Sequence, residues 1–503
     1  MSEPRRVVDA ALEGERAWVV GGAVRDALLG REVLDVDVVV DGDVEAAARA
    51  LARASGRGTA RFSLSDAFDT WRVVGPGHAW QIDVTPLRGG AIEADLALRD
   101  LTINAMAQPV GGGPLVDPFG GRADLEARVA RAQGARAFAD DPLRCLRVAR
   151  FACELDLSVD PDTARLARAH APELDRIAGE RLFAELKRIV AAPGIRVGLR
   201  LMDELGVMAH VLPELAGLRG VEQNRYHHAD VLDHTLEVLD AELALEADPG
   251  GWLGLEHADA IRALLAEPLA DGLTRRDGLR FGALLHDAAK PQTRAVGEDG
   301  QTLGFPRHDV EGERLVGEVF TRLKTSERLR AHVAALTRHH LALGFLVHER
   351  EDGELPRRAL YRYLTRTEPV EVDVTLLSVA DRLATRGHKA DEAIARHMAL
   401  AREVIGETLR WRAGDAPRAA AARRRAGPPA RHRSGSAARP DPGRAGRGAI
   451  RRGGPRPSGG AGPRAGAGRV ARGLSDRRRA RTAQLADRPV GVRGPGAIAA
   501  ATV

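Results

Sequence analysis

"WVVGGAVRDALLGREVLDVDVVV", Trp18 to Val40, runs from an apolar strand through two glycines into a helix-like segment, then into a valine strand carrying two aspartates. Trp18 to Val20 read as a short strand, Gly21 and Gly22 as a tight turn, and Ala23 to Leu29 as a helix stopped at Gly30. Backbone amides at such a turn suit phosphate, because glycine lets a ligand come close and the helix start presents unpaired N–H groups. In the second strand a period of two puts Asp35 and Asp37 on one face and Val36, Val38 and Val40 on the other. Their backbones are then roughly 7 Å apart, and both carboxylates point the same way, a spacing suited to Mg²⁺. Alone, a D-x-D pair also fits the solvated face of an edge strand.

A third acid tips the balance. After a helix led by Asp43 (Val44 to Ala54), "WRVVGPGHAWQIDVTPLR" predicts a hairpin closed by Gly75-Pro76-Gly77. On its second strand Trp80, Ile82 and Val84 share one face and leave Asp83 on the other. With Asp35 and Asp37 it completes a carboxylate set of the kind that holds two metals for in-line phosphoryl transfer.

Composition sets outer limits. The 503 residues suffice for several cores, and no run is long and apolar enough to span a membrane. The two cysteines, Cys145 and Cys153, cannot build a disulfide framework, which points to a reducing, cytoplasmic setting. Residues 413–503 hold 21 Arg, no Lys, 4 Asp and no Glu, so this segment carries +17 and the preceding 412 residues carry −12. Rich in Ala, Gly and Pro and free of Phe, Trp and Tyr, it is expected to be disordered. A nonspecific RNA-binding arm is the functional reading of its charge, and a plain unstructured extension is the preferred one.

Five ordered blocks carry a resemblance: "GGAVRD", "LDVDVVV", "RDLTINAMA" (Arg99 to Ala107), "LVDPFGGRADL" (Leu115 to Leu125) and "DDPLRCLRVARFA" (Asp140 to Ala152). Together they resemble the tRNA nucleotidyltransferase and bacterial poly(A) polymerase family, whose head has the nucleotidyltransferase fold shared with DNA polymerase beta. The resemblance implies Asp35 and Asp37 as the catalytic metal-binding pair, with Mg²⁺ as cofactor, and Gly21, Gly22 and Arg25 as the triphosphate site. It implies that Arg99, Asp100 and Asn104 handle ribose and phosphates, and that Asp141 and Arg144 read the incoming base, with Arg147 contacting the nucleotide. A spacing of three would put Asp141 and Arg144 on neighbouring positions of a helix, where a carboxylate accepts from an exocyclic amine and a guanidinium donates to ring acceptors. Arg150 reads as structural, and Val148, Phe151, Ala152 and Leu155 as a core face. In the following block, Arg176 to Gly194, Glu180 and Arg181 are expected to brace the base-reading helix. The chain departs from the family's common Glu-Asp at Asp140-Asp141 and from its frequent Arg-Arg-Asp at Leu98-Arg99-Asp100.

Further on, "YHHADVLDHTLEVLD", "FGALLHDAAKP", "FPRHDVEG", "LTRHH" and "LSVADRLA" resemble an HD domain, a helical metal-dependent phosphohydrolase module. The implied ligands are His234, His286, Asp287 and Asp381, with His308 and His339 as the extra histidines of binuclear members. Such imidazole and carboxylate ligands suit a divalent transition metal or Mg²⁺. His227, His228 and His340 read as adjacent surface or supporting residues.

The expected architecture is α+β: a mixed-sheet nucleotidyltransferase head (1–125), a helical neck and RNA-binding body (126–220), an all-α HD domain (221–412) and the tail (413–503). The expected activity is CMP and AMP addition to tRNA 3′ ends from CTP and ATP. The alternatives are CC-only, A-only or poly(A) addition and, from another class, an HD phosphohydrolase or an RNA-binding protein with an inactive head.

Overall fold

The computed structural model describes residues 2–65, 69–223, 230–298, 300–350, 353–386 and 390–414; His227, His228 and nearly all of the basic tail lie outside them. The head is a six-stranded mixed sheet: β1 (Ala17–Val20), β2 (Asp35–Val40), β3 (Ala60–Ser65), β4 (Thr70–Val74), β5 (Gln81–Pro86) and β6 (Ala107–Pro109). Their spatial order is β3-β4-β5-β2-β1-β6, and only β2 and β5 run parallel. That pairing needs a crossover, which the helix Val44–Ser55 and the β3-β4 hairpin supply. Asp43 starts this helix as expected, its carboxylate accepting from the Ala46 N–H at 2.9 Å.

The alternation within β2 sorts its side chains. Val36, Val38 and Val40 are buried with Val19, Ile82 and Val84 against the helices Glu3–Ala11 and Val44–Ser55, so the opposite face is left for Asp35 and Asp37. The parallel register then sets Asp37 directly beside Asp83.

Beyond the sheet, the helices Leu143–Leu155, Gly179–Ala191 and Ile195–Glu204 form the neck. They pack tightly at Gly198, where a Cβ would lie 2.6 Å from Ile189 Cγ2. The neck core takes in Leu101 and Ile103 from the head side and continues without a break into the HD helices, through Leu186, Phe281 and Val374. The head sheet keeps its own packing, a larger core around Val36, Val38 and Val40 and a small cluster around Val20 and Val39 on the other face. The HD region is mostly helical, as expected. Two short antiparallel ribbons interrupt it, Pro268–Ala270 with Leu273–Thr274 and Ala295–Val296 with Thr302–Gly304. Both are turn-linked pairs too short to show a strand period in sequence.

Candidate active site

The head sheet and the neck enclose a cleft of about 550 Å³ lined by Gly21, Asp35, Asp37, Arg99, Asp141 and Arg144, among others. Gly21 ends β1 with φ +69°, a conformation that favours glycine, and its N–H bonds to Met106 O at 3.1 Å. A Cβ there would meet Arg99 Nη1 at 2.6 Å and Asp37 Oδ2 at 3.6 Å, so the missing side chain is what lets Arg99 lean across the turn towards Asp37.

Asp35 and Asp37 both open on the cleft, and neither has a hydrogen-bond or ion-pair partner among the described residues. Desolvation in the recess pushes the Asp37 carboxyl above its ordinary range; Arg99 opposes this, while Asp83 and Asp35 add to it. Two adjacent carboxylates with no compensating donor fit a divalent cation. Asp83 is placed differently. It sits beside Asp37 in register, but both its oxygens take Arg72 (2.7 and 2.7 Å), and it does not line the cleft.

Arg25 is buried, its guanidinium held by both oxygens of Asp26 (2.9 and 2.8 Å) and by Asn104 Oδ1 (2.6 Å). Asn104 in turn donates to Asp100 Oδ1 at 3.0 Å. Asp100 also accepts from Leu101 N–H (2.8 Å) and pairs with Arg147 (2.7 Å). Arg147 reaches Glu185 at 3.3 Å, which binds Arg150 at 2.5 Å. Phe151 sits among three of these cations, with ring-to-guanidinium distances of 3.9 Å to Arg150, 5.0 Å to Arg25 and 5.3 Å to Arg147. A polar relay therefore runs from the glycine turn to the neck helix Gly179–Ala191. Glu185 was invisible in the sequence, where it is one charge among several on a helix. Phe151 had been read only as core.

Burial alone would raise the Asp100 carboxyl; Arg147, the Asn104 amide and the Leu101 N–H override it and hold it at about 2. A folded pKa below the unfolded value of 3.8 means that the contribution is present above about pH 4 and is lost as pH falls towards 2. That shift corresponds to about 2 kcal/mol. Asp100→Ala should cost about 3 kcal/mol at neutral pH, because it strands Arg147, and the deficit should shrink in acid. Denaturant unfolding at about pH 7 and about pH 3 measures both; an equal deficit at the two pH values would contradict the relay.

Asp141 and Arg144 both line the cleft but do not share a helix, contrary to expectation. The helix begins at Leu143, and Asp141 is extended (φ −150°, ψ 102°) because a residue before proline, here Pro142, is driven out of the helical region. Arg181 holds Asp141 at 2.9 Å, in line with the expected brace. Arg144 donates to three carbonyls, Leu98 O at 2.7 Å, Ala137 O at 3.1 Å and Arg99 O at 3.3 Å, which hold its guanidinium in place at the cleft wall. Arg150 is buried, and burial lowers its pKa to about 10 against the pull of Glu185 and Glu154.

In the HD region two three-residue groups share Asp287: His234 with His286, and His308 with His340. The fourth histidine is therefore His340, not His339. His339 ends its helix with Nδ1 buried and unpartnered, pushed down to about 4 by burial and by Arg366 and Arg338. One residue on, a helical step of roughly 100° turns His340 inwards, with its Nε2 at 3.3 Å from His308 Nε2. Asp381 Oδ1 lies 3.1 Å from His234 Nε2. Lys290, not singled out in the sequence, pairs with Asp287 at 2.6 Å. Burial would raise the Asp287 carboxyl, but His286 and Lys290 hold it well below the usual range.

The tautomers show that a cation fits. His286, His308 and His340 each direct Nδ1 at a main-chain carbonyl three residues back (Ala283 at 2.9 Å, Phe305 at 2.8 Å, Thr337 at 2.7 Å). A carbonyl only accepts, so Nδ1 carries the proton and Nε2 presents a lone pair. The Nε2 atoms of His308 and His340 thus stand 3.3 Å apart, and His286 Nε2 lies 3.1 Å from Asp287 Oδ2, so three ring nitrogens converge around one carboxylate.

Three family models match in order: a poly(A) polymerase head domain over residues 17–131, a probable RNA and SrmB-binding site of polymerase A over 156–218, and an HD domain over 231–386. An A-adding tRNA nucleotidyltransferase of Deinococcus radiodurans is 35% identical across 75% of this chain and 78% of its own length. A multifunctional CCA protein of Nitrosococcus oceani is 33% identical across 70% and 79%. A CC-adding tRNA nucleotidyltransferase of Geobacter sulfurreducens is 40% identical over 55% of this chain, and the match spans 61% of that protein. In fold, the chain is similar to a tRNA nucleotidyltransferase complexed with a primer tRNA and an incoming ATP analogue, with a TM-score of 0.54 and 24% identity over 80% of this chain and 99% of the other. No described helix is long and apolar enough to cross a membrane. From the head, RNA-binding and HD segments in sequence and the relatives matched over most of their length, the chain belongs to the tRNA nucleotidyltransferase and poly(A) polymerase family.

Proposed function

We propose that the protein adds CMP and AMP to tRNA 3′ ends from CTP and ATP without a nucleic-acid template, releasing pyrophosphate. The observation that carries this reading is the unpartnered Asp35 and Asp37 pair facing Asp141 and Arg144 across one cleft. Mg²⁺ held by Asp35 and Asp37 would supply charge neutralisation at the α-phosphate and favour the deprotonated 3′-hydroxyl. Arg99 adds a positive charge over the glycine turn, where the phosphates would lie. The relay through Arg25, Asn104, Asp100 and Arg147 keeps the wall of that subsite rigid, so that little reorganisation is needed as charge develops. The Asp141 carboxylate and the Arg144 guanidinium offer an acceptor and a planar donor to the base edge. The relatives divide between CC addition, A addition and full CCA addition. Incubating tRNAs that end before CCA, after C or after CC with CTP, ATP or both separates these outcomes. No extension of any of them would sink the proposal.

The HD region is assigned a metal-dependent phosphohydrolase activity, for which the ion held by His234, His286, Asp287, His308, His340 and Asp381 would supply an activated water. His286→Ala should take phosphatase and phosphodiesterase activity to background and leave nucleotide addition at the parental rate, since the two carboxylate sets stand on separate elements. Loss of addition in a folded variant would overturn this division.

A further inference from the structure

A recess of about 400 Å³ opens on the HD region between the short helix Ala342–Leu346 with its following turn and the start of the helix Ala390–Arg412. Its polar lining is entirely basic: Arg382, Arg396, His348 and His397, with Gly344, Val347 and Ala393 completing the wall. This is unusual in a region where acidic residues outnumber basic ones. Arginines elsewhere in the HD region mostly have carboxylate partners, as Arg275 has Asp373 and Arg280 has Glu246. Neither Arg382 nor Arg396 has one among the described residues.

Two atoms sharpen the picture. Among the described residues, Arg382 Nε is buried without a hydrogen-bond partner, and so is Nδ1 of His397, a residue only 2% exposed. His397 uses its other nitrogen towards Ser378 Oγ at 3.3 Å. A Cβ at Gly344 would stand 3.8 Å from Arg382 Nη2, which places this guanidinium on the glycine side of the recess. A buried guanidinium donor without an acceptor is costly, and leaving it at one recess with an unpaired buried imidazole nitrogen and two further basic groups calls for an anionic acceptor.

We propose that this recess is a binding site for the phosphoryl group of a mononucleotide-sized ligand, distinct from the head cleft and from the HD metal cluster. A phosphate oxygen meets the planar Arg fork in two parallel hydrogen bonds and accepts a third from an imidazole N–H. The volume lies within the range of small-molecule sites and exceeds the need of a bare oxyanion, with Val347 and Ala393 as an apolar wall for the attached nucleoside. The site adjoins the metal cluster in sequence on both sides: Arg382 follows Asp381, and Gly344 lies four residues after His340. The assignment does not depend on hydrolysis by the HD region.

The test uses the full chain labelled with ¹⁵N-histidine, in EDTA and low salt, titrated with AMP and separately with inorganic phosphate. The His397 signal is assigned by its loss in His397→Gln. AMP should move that signal and do so at lower concentration than inorganic phosphate. Arg396 is exposed, so Arg396→Ala should fold normally and weaken the response on the order of tenfold or more, the effect of losing one charge-assisted hydrogen bond. Arg396→Lys should restore part of it. A His397 signal that ignores both anions, or that responds equally in Arg396→Ala, overturns the site. A response to inorganic phosphate at equal or lower concentration overturns the mononucleotide assignment.

Discussion

Asp37→Ala should stop the addition of CMP and AMP alike, with kcat falling on the order of 10³-fold or more, and leave the choice between CTP and ATP unaltered in whatever activity persists. On the proposed mechanism its carboxylate would help hold the metal at the reacting phosphate and would contact no base. Stability should respond in the opposite sense from activity. Desolvation and the neighbouring Asp83 and Asp35 already push the Asp37 carboxyl up, so its charge costs the folded state free energy above the folded pKa and ceases to do so as pH falls. Removing it relieves repulsion, and the thermal midpoint should stay level or rise. Single-nucleotide addition to one tRNA, measured with a melting curve, reads both. A variant that still adds nucleotides at the parental rate, or that adds only one of the two, would remove Asp37 from the chemistry.

Arg144→Ala should act on choice rather than on rate. A site built to pair buried polar groups rejects a wrong partner because those groups would be left unpaired, and such sites reach discrimination of about 10⁴-fold. Removing the guanidinium should lower discrimination against UTP and GTP by on the order of 10²-fold while slowing correct addition much less. Three carbonyls hold Arg144 in place, those of Leu98, Arg99 and Ala137, so the alanine variant also loosens the segment that carries Arg99. Arg144→Lys separates the two effects, since an ammonium can still reach a carbonyl but lacks the planar fork. The lysine variant should keep most of the rate and lose selectivity. Equal loss for all four nucleotides in both variants would withdraw base reading from Arg144.

The head's logic was legible because β2 obeys a period of two, and burial enforces it: Val36, Val38 and Val40 are in the core and both aspartates are out. The Gly75-Pro76-Gly77 hairpin and the helix after Asp43 carried their own local signals. What escaped depended on contacts between distant segments or on single-residue offsets. Asp141 is out of the helix because Pro142 follows it, a local rule that prevails over an i, i+3 spacing. Adjacent His339 and His340 differ only in which way a helix end turns, and no pattern in "LTRHH" decides that. Glu185 taking Arg147 and Arg150 joins residues far apart in sequence, which leaves no mark in composition or period, whereas Arg72 taking Asp83 follows from the hairpin register, which sets the two opposite each other.

The separation of the two hydrophobic cores has an evolutionary consequence. The carboxylates are mounted on strands packed into the head core, whereas Leu143, beside Arg144, and Leu101, beside Asp100, are packed into the core shared with the neck. Drift in the packing of the second core can shift where a base edge falls without disturbing the floor on which bond formation occurs. On the proposed reading, a lineage would then change its repertoire of added nucleotides by small steps while inheriting the same reaction.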